Sequence, residues 1–313
     1  MKANRMKPRL KIKFTDYYRG WDNHRNLFSH LLAEMYDLDF SEDPDLLIFL
    51  PFGTNHLKYR CRKVFITGEN VRPDFRVCDY AFSFDYLDDP RNYRLPLALW
   101  GRIKKKDGWD PEKVLQEKIC FCNFVYSNPS CRLRNDLFDK LNAYKRVDSG
   151  GRFRNNLGHR ISDKHDFLRQ YKFTIAYENS SYPGYVTEKI ADAFVADSIP
   201  IYWGNPLVDR DFNPESFINY HELGSNDAVI EKIIELDQDE QAYLEVLQQP
   251  CYPDNTFPAF ARKEQISDRF RQIIESPDPP CSSSWKDKLR CRTRYRKVKW
   301  TRRLQRWKGR LFQ

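Results

Sequence analysis

Residues 173–206 constrain the fold of this chain more than any other stretch. Phe173 to Tyr177 is a short β-prone run, Val186, Ile190, Ala193 and Phe194 recur at helical spacing, and Ile199 to Trp203 is a second β-prone run. A strand, loop, helix and strand of these lengths form a βαβ unit, which predicts a parallel sheet. Polar chemistry crowds the loop. With Thr187 as N-cap, Glu188 suits the first helical turn, but Lys189 opposes the positive end of the helix dipole. A bound anion removes that conflict, because N–H groups at a helix N-terminus plus one ammonium make a phosphate cradle. The Pro183-Gly184 pair in the loop Ser180 to Tyr185 lets the backbone come close. The ordinary alternative is a lysine on a solvated face; the neighbouring Glu178, Asn179, Tyr185 and Glu188 weigh against it.

The rest of the chain reads as more α/β structure. Strands are expected at Leu10 to Phe14, Leu46 to Leu50, Val64 to Thr67, Tyr80 to Phe84 and Phe121 to Tyr126, with a helix over Asn26 to Met35. After Ser127-Asn128-Pro129-Ser130 comes a helix with the stripe Leu133, Leu137, Phe138 and Leu141, and Arg134 is placed on its polar side. Residues 145–152, with Gly150-Gly151, break the pattern and are the expected domain boundary. Helices near 163–171, 226–236, 240–248 and around Ile266 to Ile274 follow. The expectation is therefore two α/β halves with a cleft between them, 1–147 and 148–275, and a tail, 276–313.

Charge sharpens this division. The 313 residues carry a formal net charge of +9, yet residues 285–313 hold thirteen Lys or Arg against one Asp, so the remainder is net −3. In the tail, Trp300, Leu304, Trp307 and Leu311 form one helical stripe opposite Arg302, Arg303, Arg306 and Arg310, the pattern of an interfacial helix on anionic lipid. Nucleic-acid binding is the competing reading of such a tail, and the acidic body argues against it. No signal-peptide pattern or long apolar run is found, so a cytoplasmic protein, peripheral on the inner face of the membrane, is expected. The eight cysteines include no CxxC pair and are expected to be reduced.

Several chemistries lack their signatures. There is no GxGxxG after a strand, no GxxxxGK[ST], no HExxH and no GxSxG. Asp-x-Asp pairs occur at Asp37/Asp39, Asp43/Asp45, Asp209/Asp211 and Asp237/Asp239, none after a clean buried strand. A metal-independent site is expected, with a divalent metal at most stimulatory.

These residues carry a family resemblance. Tyr177-Glu178-Asn179-Ser180, then Gly184-Tyr185-Val186-Thr187-Glu188-Lys189-Ile190, then Ile199-Pro200-Ile201-Tyr202-Trp203-Gly204 resemble the donor-binding signature of bacterial α-1,3-fucosyltransferases, relatives of the animal Lewis-type enzymes. Ile66-Thr67-Gly68-Glu69-Asn70, Asp79-Tyr80-Ala81, Ser127-Asn128, Arg134-Asn135 and Gly150-Gly151 resemble further blocks in the same order, and together they span roughly residues 8–275. The resemblance implies a GT-B-type fold, two Rossmann-like domains facing across a cleft, with the acceptor on the N-terminal domain and GDP-fucose on the C-terminal one. It implies inverting transfer of L-fucose from GDP-β-L-fucose to the 3-hydroxyl of GlcNAc, or of glucose, in an N-acetyllactosamine or lactose-type glycan acceptor. Carried over position by position, Glu69 is the general base, and Arg134 and Lys189 stabilise the departing diphosphate. Asn179, Tyr185 and Glu188 contact the donor. Such a displacement needs a base on the acceptor and charge stabilisation on the leaving group, which these residue types supply. A GT-B transferase using another nucleotide sugar is the alternative enzyme reading.

Overall fold

The computed structural model describes residues 7–104 and 108–296. The first elements are β1 (Arg9–Thr15), α1 (Leu27–Met35), β2 (Asp37–Phe40), β3 (Leu46–Phe49), β4 (Arg62–Ile66), β5 (Tyr80–Ser83) and β6 (Asn92–Arg94). There follow α2 (Pro111–Gln116), β7 (Cys120–Asn123), α3 (Arg132–Tyr144), β8 (Val147–Asp148), α4 (Lys164–Arg169), β9 (Tyr171–Tyr177), α5 (Glu188–Val195) and β10 (Ile199–Trp203). The last are β11 (Ile218–Asn219), α6 (Tyr220–Leu223), α7 (Asn226–Gln238), α8 (Glu240–Leu247) and α9 (Lys263–Glu275), and residues 285–296 are helical. Two compact units result. Among the described residues, one joins 7–100 with 258–296, and the other lies within 101–257.

In the first unit six parallel strands lie in the order β2-β1-β3-β4-β5-β6. All four residues of β3 are buried, as expected of a strand covered on both faces. α1 starts at a capping box, the Asn26 side chain accepting from Ser29 N at 2.9 Å and Asn26 N donating to Ser29 Oγ at 3.2 Å. α9 buries Ile266, Phe270 and Ile273; the Phe270 ring stacks on Phe82 with centroids 4.7 Å apart and meets Phe28 edge-on. That packing returns the helix to the first unit, whereas sequence order had placed it within 148–275.

The strand order of this unit reverses between β1 and β3, where an open parallel sheet leaves a crevice. Here the chain fills it. Asp16, at φ +57°, accepts from the backbone N–H groups of Asn55 (2.8 Å) and His56 (2.9 Å) and pairs with His56 Nδ1 at 2.6 Å. The His56 ring stacks on Phe49 and its Nε2 lies 3.8 Å from Cys291 Sγ.

The second unit has five parallel strands in the order β11-β10-β9-β7-β8. Counted from β7, this is the same doubly wound order, reversing between β7 and β9. Its core includes Phe121, Phe124, Phe138, Leu141, Phe173, Ile175, Ile201 and Ile233. The boundary expected at 147/148 cuts β8, whose Val147 and Asp148 pair with Cys122 and Asn123. Gly150 and Gly151 are packing glycines. A Cβ on Gly151 would stand 2.1 Å from Tyr126 O and 2.4 Å from Tyr126 N, so the segment is pressed onto the chain leaving β7. The pattern breaks at a close backbone approach, which looks like a linker in sequence.

Gly151→Ala is expected to destabilise the protein by about 1–3 kcal/mol, since rigid backbone must move to admit the methyl group. Urea denaturation followed by circular dichroism checks this; an unchanged midpoint would show that the approach is not tight.

Candidate functional site

Arg134 follows the loop after β7, and its helix α3 carries Arg134, Leu137, Phe138 and Leu141 on one buried stripe at i, i+3, i+4 and i+7. The guanidinium is therefore buried, contrary to the polar-side placement expected from sequence. It finds its acceptors at the carboxyl end of β9: Nη1 donates to Tyr177 O (3.3 Å), Glu178 O (3.4 Å) and Asn179 Oδ1 (3.0 Å). Nη2 donates to Asn128 O at 2.6 Å, and the guanidinium carbon sits 3.8 Å from the centroid of the Tyr126 ring. Tyr126 OH in turn donates to Ile175 O (2.7 Å) and Tyr177 O (3.1 Å). Arg134 Nε is buried and has no partner among the described residues.

Directly after β9 comes Glu178, whose N–H still pairs with Trp203 O at 2.7 Å and whose side chain is wholly buried. Its carboxylate accepts from Thr187 N (2.7 Å), from Thr187 Oγ1 (2.8 and 3.0 Å) and from Lys189 Nζ (2.8 Å). Gly204 leaves the room for it, since a Cβ there would lie 2.4 Å from Glu178 Cγ. The loop between β9 and α5 turns at Gly184, φ +84°, whose N–H donates to the buried Asn205 side chain at 2.6 Å. Tyr185 is buried beside it, and Asn179 is exposed.

Thr187 is the N-cap residue of α5, but its side chain makes no capping bond; the hydroxyl faces Glu178 and Lys189. Lys189 also lies 3.6 Å from the half-exposed Glu188. Burial opposes its charge, yet Glu178 and then Glu188 hold its pKa well above the usual lysine value. Burial, with Glu188 adding, pushes the Glu178 carboxyl up against the pull of Lys189 and Thr187. For Glu188, burial is outweighed by Lys189 and Lys164, and its pKa is lowered. The dipole conflict that singled out Lys189 in the sequence is thus answered from within the chain, by a glutamate to which sequence reasoning gave no role.

Arg134, Asn179, Tyr185, Glu188 and Lys189 come together in the second unit, around the reversal between β7 and β9 where doubly wound sheets take ligands. Glu69 belongs to the first unit, just beyond β4. A tight turn fixes its backbone: Glu69 N donates to Thr67 Oγ1 (3.0 Å), and that hydroxyl donates to Glu69 O (2.9 Å). Tyr126 and Glu178 are the residues sequence reasoning missed. Glu178 had a signal in its place directly after a buried strand, whereas Tyr126 had none beyond its strand. Of the aromatic residues, Tyr202 is fully buried, and the half-buried Trp100 stands edge-on to Phe28.

Residues 12–100 match the alpha-(1,3)-fucosyltransferase FucT N-terminal domain, and residues 115–250 match the C-terminal domain of glycosyltransferase family 10 (fucosyltransferase). A crystal structure of an alpha1,3-fucosyltransferase with GDP-fucose superposes with a TM-score of 0.74 at 31% identity, covering 89% of this chain and 94% of that one. The chain belongs to the family 10 fucosyltransferases. Its two parallel α/β units are of the GT-B type. The alpha-(1,3)-fucosyltransferase FucT of Helicobacter pylori is 35% identical, over 78% of this chain and 61% of its own length. A putative fucosyltransferase of Acanthamoeba polyphaga mimivirus is 28% identical, over 79% of this chain and 42% of its own. This fucosyltransferase-family chain thus spans about three fifths or less of those two relatives. Among the described residues no helix is long and apolar enough to cross a membrane.

The burial of Arg134 predicts a stability role beside any ligand role. Arg134→Lys, which keeps the charge but cannot fork to separate carbonyl groups, is expected to cost about 1–3 kcal/mol in chemical denaturation. A wild-type midpoint would remove the guanidinium from the scaffold of the site.

Proposed function

We propose that this protein is an inverting α-1,3-fucosyltransferase that moves L-fucose from GDP-β-L-fucose to the 3-hydroxyl of GlcNAc, or of glucose, in an N-acetyllactosamine or lactose-type acceptor. One observation carries the reading: Lys189, 15% exposed at its side chain, stands at the N-terminus of α5 and beside the sheet's switch point. That is an anion site of the kind a nucleoside diphosphate needs. A relative of 31% identity crystallised with GDP-fucose favours that donor. On this reading Lys189, the N–H groups of α5 and the Arg134 Nε–H answer the charge growing on GDP as the C1–O bond breaks. Asn179, Tyr185 and Glu188 contact the donor, with Glu188 accepting hydrogen bonds from ribose or fucose hydroxyls. Glu69 takes the proton from the acceptor hydroxyl as its oxygen attacks C1 from the face opposite GDP, which converts the β-linked donor into an α-linked product. No metal is required on this reading, because the cations of the chain do that work.

Thermal shift with GDP, GDP-fucose, GDP-mannose and UDP tests the donor, and stabilisation by UDP alone would point to another nucleotide sugar. NMR of the product from an acceptor panel reads the linkage. Glu69→Ala is expected to lower kcat by about 10²-fold or more with GDP affinity kept; undiminished turnover would take Glu69 out of the mechanism. Lys189→Ala is expected to weaken GDP binding by about ten-fold or more. Activity surviving EDTA agrees with a metal-free reaction, and its loss would refute that part.

We also read residues 285–313 as an element for anionic lipid on the inner face of the membrane. Its described part, the helix over 285–296, exposes Trp285 (70%) and Leu289 (54%) one turn apart among Lys286, Lys288, Arg290 and Arg292. The stripe of Trp300, Leu304, Trp307 and Leu311 lies outside the described residues. Removing 285–313 is expected to abolish flotation with anionic vesicles, and loss of RNA binding instead would favour the nucleic-acid reading.

A further inference from the structure

The ammonium that would meet the donor already has an anion against it. Glu178 Oε2 is 2.8 Å from Lys189 Nζ, its side chain is fully buried, and its other bonds run to the N–H and hydroxyl of Thr187, the N-cap residue of α5. Glu178, eleven residues before Lys189, therefore does what the cap side chain does not: it satisfies the helix entrance and orients the lysine. Gly204 is needed to admit it. A carboxylate in that position has two opposed effects on a diphosphate. It fixes the ammonium in place before the ligand arrives, and it repels the ligand once there.

We propose that Glu178 is the resident counter-ion of Lys189, a positioning residue that presets the ammonium for the donor diphosphate and holds nucleotide affinity down so that the spent diphosphate leaves. The inference rests on the reading of this site as a nucleoside-diphosphate site. Without ligand, Lys189 has its hydrogen-bonded counter-charge in the buried Glu178, with the half-exposed Glu188 farther off at 3.6 Å; with ligand, the diphosphate shares that role and the Glu178 carboxylate becomes a like-charge neighbour.

Glu178→Gln keeps an acceptor for the Thr187 N–H and removes the anion. Its ligand-free form is expected to melt lower than wild type, because a buried ammonium loses its partner. It should bind GDP on the order of ten-fold tighter, with KM for GDP-fucose and kcat falling together. A merely structural role predicts the opposite, weaker GDP binding. Glu178→Gln/Lys189→Met should melt above Lys189→Met, which strands Glu178, and should show no tightening. Calorimetry with GDP and thermal melts of these variants decide the matter. Equal or weaker GDP binding by folded Glu178→Gln overturns the proposal, and so does a double variant that melts below Lys189→Met, a comparison that stands even if Glu178→Gln alone does not fold. Wild-type protein that ignores GDP would instead sink the reading of the site itself.

Discussion

A buried guanidinium must be given acceptors, and the second unit is built around the ones Arg134 finds. Its nitrogen atoms tie the loop after β7, through Asn128 O, to the end of β9, through Tyr177 O, Glu178 O and Asn179 Oδ1. Those are the two strands between which the sheet order reverses. The crevice of a doubly wound sheet lies at such a reversal; here a side chain with fixed planar geometry sets its floor. Charge-assisted bonds to several carbonyl groups at once make that floor costly to deform.

From that floor the electrostatics follow in sequence. Fixing the end of β9 fixes Glu178, and Glu178 fixes both Thr187 and Lys189 at the entrance to α5. The two units solve the same topological problem differently. The first unit closes its own switch point with Asp16, His56 and the Phe49 ring, whereas the second lines its switch point with cations and a helix N-terminus. A ligand for the second unit is thus an expectation of its chemistry as well as of its family.

Much of this was legible beforehand where periodicity and local chemistry agreed. β9, α5 and β10 lie within a few residues of their expected places because buried β-prone runs flank a segment with helical spacing that opens at Thr187. β2, β6 and β8 were not foreseen: they are two to four residues long and carry no run of apolar residues, so only pairing with a neighbour makes them strands. The division at 147/148 failed for a related reason, since Gly150-Gly151 reads as a linker until Tyr126 is seen pressed against it. Likewise α9 follows the second unit in sequence, and only Phe28 and Phe82 draw it to the first.

The sequence by itself determined the parallel α/β class and the βαβ unit with its Thr187-Glu188-Lys189 entrance, because spacing and side-chain type are local properties. Tertiary structure decided what each residue of the site does there. Whether a lysine faces an empty cradle or a buried glutamate, and whether an arginine sits on a polar or a buried face, depends on atoms brought from eleven and forty-five positions away in the chain. Burial and charge pairing are properties of that assembly, and no local pattern of residues encodes them.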